Sequence, residues 1–132
     1  MGSLSKEKIN LLINNVLSQA KYYLDEADEF YPFGAAIDNN NSVRPIGIFF
    51  DEDHPESLQV FTKLQEAIKQ KISIGEYEFA AIGMDVYINS DNNSKGKISA
   101  IQINTYSKNS TDTTYFKYEK SDSGYVFERS SI

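Results

Sequence analysis

Ile9, Leu12, Ile13, Val16, Leu17, Ala20, Leu24 and Ala27 recur at steps of three and four along the first thirty residues. That spacing predicts one apolar stripe on a helix running from near Ser5 to near Glu29. Ser5 would cap it, Glu7 would sit in a first turn where the macrodipole favours a carboxylate, and Pro32 stops its continuation. Asp25, Glu26, Asp28 and Glu29 crowd the opposite end, where the same dipole disfavours negative charge. A local conflict of this kind marks the four carboxylates as a candidate surface feature.

The period then shortens. Phe33 to Asp38 and Val43 to Phe50 are apolar runs separated by Asn39-Asn40-Asn41-Ser42, whose asparagines tolerate positive φ, so the pair predicts a β-hairpin. Pro45 has no N–H to give a ladder and places its strand at an edge or beside a bulge. Asp53-His54-Pro55-Glu56 predicts a second helix capped by Asp53 or His54, with Glu56 completing a capping box. Its predicted stripe is Leu58, Phe61, Leu64, Ile68 and Ile72, and Gly75 terminates it. From Phe79 the alternation is strict: Ala80, Ile82, Met84, Val86 and Ile88 form a dry face, and Phe79, Ala81, Gly83, Asp85, Tyr87 and Asn89 a mixed one. Strands near Lys97 to Ser107, Thr113 to Glu119 and Tyr125 to Arg129 follow, joined by the polar stretches Ser90 to Gly96, Asn109 to Asp112 and Ser121 to Gly124.

The order α-β-β-α-β-β-β-β with short polar links predicts an α+β fold in one domain spanning residues 1–132. Its expected form is an antiparallel sheet with two helices packed on one face, the other face left open to a partner. No repeat or low-complexity tail interrupts the chain.

Composition narrows the chemistry. Without cysteine, disulfides, thiolate metal sites and a cysteine nucleophile are excluded. A formal net charge of −6 opposes binding to nucleic acid or to an anionic membrane and favours a basic protein partner. Neither a secretory h-region nor a run of about twenty apolar residues is present, so the expected location is the cytoplasm. The glycines are scattered and none opens a helix after a strand, which removes the familiar phosphate loops, and no Gly-x-Ser-x-Gly elbow exists. No cofactor is expected.

A few residues hold chemical potential. His54, the only histidine, lies among Asp51, Glu52 and Asp53, hard ligands beside an imidazole, but the spacing is that of no defined metal loop, and an acidic helix start explains it equally. Asp85 is the one charge in the most apolar strand; if its face is covered, it must accept hydrogen bonds or have its pKa raised, and a Lys or Tyr beside it is the ordinary solution. Nine tyrosines, several on strands, offer amphipathic contact area with few rotors to freeze.

The run Phe30-Tyr31-Pro32-Phe33-Gly34-Ala35-Ala36-Ile37-Asp38, with Val43-Arg44-Pro45, Ala80-Ala81-Ile82-Gly83-Met84-Asp85-Val86 and Tyr115-Phe116-Lys117-Tyr118, resembles a group of small uncharacterised bacterial proteins. In that group an aromatic-Pro-Phe corner follows the first helix, and a strand with an Asp-Val pair follows the second. The likeness implies the same element order over nearly the whole chain and brings no activity with it. Where the group tends to carry an acid and a histidine after its fourth strand, this chain has Thr105-Tyr106-Ser107-Lys108, so chemistry relying on that pair is lost. Small stand-alone architecture of this kind is similar to bacterial immunity or accessory proteins, an analogy at fold level.

The resulting expectation is a non-enzymatic protein-binding module, immunity- or adaptor-like, that holds its partner with Asp25, Glu26, Asp28, Glu29, Tyr31 and Asp85. Its alternatives are a small-molecule or enzymatic pocket between the second helix and the sheet, using Asp85 or Asp51 to His54, and a homo-oligomer joined through the open sheet face.

Overall fold

In the computed structural model, residues 2–27, 30–47, 56–89 and 97–130 are described. Helix α1 spans Gly2–Ala27, and strands β1 (Phe33–Asp38) and β2 (Val43–Ile46) form the predicted hairpin. Helix α2 covers Ser57–Ser73 and is followed by β3 (Tyr77–Asn89), β4 (Lys97–Tyr106), β5 (Thr111–Ser121) and β6 (Gly124–Arg129). The strands make one antiparallel sheet in the order β2-β1-β3-β4-β5-β6, with β2 and its Pro45 at the edge. The fold is α+β with the element order read from the sequence.

The helices, however, lie on opposite faces. Leu12, Ile13, Val16 and Ala20 of α1 pack on Phe33, Ala35, Ile37, Phe79, Ala81, Ile101, Ile103 and Phe116. Val60, Leu64, Ile68 and Ile72 of α2 pack on Ala36, Ala80, Ile82 and Tyr106. Adjacent residues of a strand point to opposite sides, so Ala35 and Ala36 cannot serve the same face. The one-face arrangement expected from the sequence is therefore corrected to a sheet sandwiched at its centre. All six residues of β1 are buried, as a strand covered on both sides requires.

Small residues allow this. Gly34, Ala35, Ala36, Ala80, Ala81 and Gly83 make the central strands thin, and both helices settle close to the backbone. Neither helix covers the whole sheet. β1 leaves β3 at the Phe33–Gly83 pair, so the second half of β3, from Met84 to Asn89, continues with β4 alone among the described residues.

Several local details differ from expectation. α1 begins at Gly2, which puts Ser5 inside the helix rather than at its cap, and Ala27 is exposed. α2 is capped by Glu56, which with Gln59 forms the capping box itself, so the box is not built from Asp53. Its buried stripe steps by four from Val60, and Leu58 is 66 % exposed. Gly75 terminates α2 as expected: at φ +82° it donates to the Ile72 carbonyl while the Glu76 N–H reaches Lys71, closing a Schellman turn. At the hairpin, Asp38 accepts the backbone N–H groups of Asn40 and Ser42 through Oδ1 and Arg44 Nε through Oδ2 at 2.6 Å. Arg44 and these backbone donors hold the Asp38 carboxyl below its ordinary pKa. Residues 48–55 and 90–96 lie outside the described residues, and with them the end of the second apolar run, His54 and its acidic neighbours.

Candidate functional site

Asp85 lies on the α1 side of β3. Its row continues through Ile101 on β4 and Phe116 on β5, both buried beneath α1. One step along the same face, Tyr87 stands opposite Ser99, and the β4–β5 and β5–β6 registers carry that second row to Tyr118 and Phe127. Tyr118 reaches diagonally across Ser99 and donates its hydroxyl to Asp85 Oδ1 at 2.7 Å. The half-buried carboxylate thus has the tyrosine partner that its place in an apolar strand demands. Burial, then the bond to Asp85 and its negative charge, push the Tyr118 phenol well above its ordinary pKa.

These groups floor and wall an open cleft of about 640 Å³ lined by Phe30, Ser57, Asp85, Tyr87, Ser99, Tyr118, Glu119, Lys120 and Tyr125. Tyr125 meets Tyr118 edge to face at 5.8 Å, and the Lys120 ammonium stands 5.8 Å from the Tyr125 ring centre. Phe30 belongs to a second aromatic group: it packs on Phe33 at 5.3 Å and on Tyr23 at 6.2 Å, and Tyr23 meets Phe33 at 5.2 Å. Each such pair contributes roughly 0.5–1.5 kcal/mol beyond area burial, which pins the corner where the chain leaves α1 and enters β1.

Of the other candidate residues, the described Asp25, Glu26 and Tyr31 do not line this cleft. Asp25 and Glu26 are exposed in the last turn of α1, close to the β5–β6 turn, where Lys21 approaches Gly124. Asp25 is bridged to Lys21 at 3.3 Å, an exposed pair of small energetic weight. Tyr31 is 46 % exposed, between Phe30 at the cleft and the buried Pro32. Asp28 and Glu29 lie outside the described residues. Asp85 lies on the sheet face that α1 covers, and of α2 only its first residue, Ser57, lines the cleft with it. The contact of α2 with the sheet is filled by Leu64, Ile68, Ala80 and Ile82, all fully buried.

Two arrangements escaped the sequence reading. One is the cleft itself, since Tyr87, Ser99, Tyr118 and Tyr125 converge only through sheet register. The other is a polar chain on the α2 face: Tyr115 donates to Gln102, Gln102 to Asn104, and Asn104 and Gln65 both to the Tyr106 hydroxyl. Its signal was the alternation of Gln102, Asn104 and Tyr106 with Ile101, Ile103 and Thr105 along β4. Among the described residues no group of three or more potential ligands gathers to hold a metal, and no helix is long and apolar enough to cross a membrane. No family model, curated protein or solved structure matches the chain. The comparisons give no support to the likeness to small bacterial proteins.

Proposed function

We propose that the chain is a non-enzymatic protein-binding module of the bacterial cytosol, immunity- or adaptor-like, that docks a basic partner at the end of the fold where α1 finishes. The carrying observation is the gathering there of exposed Asp25, Glu26 and Tyr31 beside a tyrosine-walled cleft with Asp85 in its floor. Negative charge on a chain of net charge −6 speeds encounter with a basic partner and disfavours acidic competitors. Exposed tyrosines then supply contact area at low entropic cost.

The test is capture of a partner by the immobilised protein, its identification by mass spectrometry, and reconstitution with the purified partner. Asp25→Lys with Glu26→Lys should slow association markedly, and the difference should shrink at high salt as screening removes it. An unchanged association rate would overturn the reading. Light scattering of the purified chain separates it from self-association, which would raise the solution mass without any partner.

A further inference from the structure

The hollow between the last turns of α2 and the β4–β5 turn is basic on a chain that is acidic as a whole. Lys69, Ile72 and Ser73 stand at i, i+3 and i+4, so they share the face of α2 that lines this groove with Ser107, Lys108 and Ser110. The groove measures about 680 Å³, and its lining holds two ammonium groups, several hydroxyls and no carboxylate. Buried Ile72 and Tyr106 give it an apolar base. Nearby, Lys71 is committed to Glu76 and Lys8 to Glu78, each at 2.7 Å. Lys69 and Lys108 enter no ion pair among the described residues. The 2.8 Å bond between the Ser107 and Ser110 hydroxyls uses one of their two protons. The Ser110 carbonyl, 3.5 Å from Ser107 Oγ, is too far to hold the other firmly.

A helix C-terminus ordinarily repels an anion. Here its carbonyls are occupied: Gln70 accepts from the Ile74 N–H and the Ser73 hydroxyl, Ile72 from Gly75 and Lys71 from Glu76. The acidic end of the fold is remote. Asp25 lies about 25 Å along α1 from Lys8, which lines the hollow next to the groove, at a rise of about 1.5 Å per residue. That is about three Debye lengths at physiological salt, so Asp25 and Glu26 do not cancel the field of Lys69 and Lys108.

We infer that this groove binds the phosphate group of a small organic phosphate monoester, held by Lys69 and Lys108 and by the Ser110 and Thr111 hydroxyls. Such a group carries a charge of about −1.5 to −2 at neutral pH and three acceptor oxygens, which suits two ammonium groups and flanking hydroxyls better than a carboxylate does. The organic body has a place of its own. Ile72, Ser73 and Lys108 continue into a second hollow of about 700 Å³, where Ile74 and Tyr77 offer apolar surface and Asn39 and Asn41 offer amides. Ile74 is 64 % exposed, so a guest that covers it gains apolar contact. The site is independent of partner docking at the far end of α1.

The test is a two-dimensional NMR titration of the full chain, at fixed ionic strength, with phenyl phosphate, inorganic phosphate and phenyl sulfate, a singly charged analogue of similar shape. Saturable shifts at Lys69, Lys108, Ser110 and Thr111 are expected with phenyl phosphate, and weaker binding with each of the other two. Lys69→Gln and Lys108→Gln should each weaken phenyl phosphate about tenfold, as for the loss of one hydrogen bond to a charged group. Both lysines are exposed, so these variants keep the fold. Ile74→Ser should weaken phenyl phosphate and leave inorganic phosphate as it was. No saturable shift at these residues, shifts that survive both lysine substitutions, or phenyl sulfate bound as tightly as phenyl phosphate would overturn the phosphate site. Inorganic phosphate bound as tightly as phenyl phosphate would assign the groove to the free ion and overturn the monoester. Asp25→Lys with Glu26→Lys should leave phosphate binding unchanged, so partner docking and this site stand or fall separately.

Discussion

Gly83 of β3 lies so close beneath Val16 of α1 that a Cβ on the glycine would stand 2.6 Å from Val16 Cγ1, with the Phe33 ring at 3.1 Å. Val16 is fully buried and its branched side chain has one strongly preferred rotamer in a helix, so it cannot turn aside. Gly83→Ala should therefore lift α1 from the sheet and cost about 1–3 kcal/mol, the usual penalty for overpacking a core. Val16→Ala alone should also destabilise, by opening a cavity. Combined, the two should cost less than their sum, and a double-mutant cycle by urea denaturation measures that coupling. Simple additivity would mean that the helix does not rest on this glycine.

Gly34 faces the other side, where its tight neighbour is the next strand and α2 is at ordinary contact distance. A Cβ there would stand 2.9 Å from the Ala81 carbonyl oxygen and 3.7 Å from Ile68 of α2. These two glycines explain why element order was legible in the chain while the placement of the helices was not. Periodicity reports one apolar stripe per helix and a pair of faces per strand, and it located every described element to within a few residues. It does not say which helix takes which face. The signal for a two-sided arrangement was the unbroken small and apolar run from Phe33 to Ile37, repeated from Phe79 to Gly83, since a strand buried on both faces loses its alternation. The candidate site was legible only in part. Asp85 stood out because it is a charge in an apolar strand, whereas Tyr118 and Ser99 became its neighbours through a β3–β4–β5 register that no local pattern encodes.

Tyr106 tests the polar chain on the α2 face. Its hydroxyl accepts from Gln65 at 3.0 Å and from Asn104 at 3.4 Å, and the residue is 2 % exposed. Tyr106→Phe keeps the shape and removes the acceptor. Gln65, half-buried on α2, can turn toward water, but Asn104 is buried and loses a partner for its amide. The expected cost is about 1–3 kcal/mol in urea denaturation, as for any buried donor left unsatisfied. Tyr115→Phe, at the more exposed end of the same chain, should cost less. Equal costs would show that the chain does not run inward as the geometry has it.

Asp38 governs behaviour in acid. Arg44, with the Ser42 and Asn40 amides, lowers its pKa from the ordinary 3.8, so the unfolded chain binds this proton more readily than the folded one. The stability Asp38 contributes is present above its unfolded pKa and disappears as pH falls through the lower folded value. Asp38→Asn retains an acceptor for the turn amides and loses the charge facing Arg44. Its melting temperature should fall below that of the parent at neutral pH, and the gap should close as the pH is taken down through that window. A gap that stays constant across acid pH would remove Asp38 as the source.

Tyr118 governs the alkaline side and reports directly on the cleft. Burial and the adjacent Asp85 carboxylate raise its phenol pKa above the ordinary 10.0, so its contribution is fully present below that value and is lost as pH rises toward the folded one. In a spectrophotometric titration of the native protein, tyrosinate absorbance should therefore include a late stage, above the ordinary 10.0, that belongs to Tyr118. Asp85→Asn removes the charge and keeps an acceptor, which should bring the late stage down without abolishing it, because burial is the larger cause. Tyr118→Phe should abolish that stage, flatten the alkaline decline in stability and leave a half-buried carboxylate without its 2.7 Å donor, at about 1–3 kcal/mol. If no such late stage appeared while the parent remained folded, neither burial nor the Asp85 contact could be acting on Tyr118.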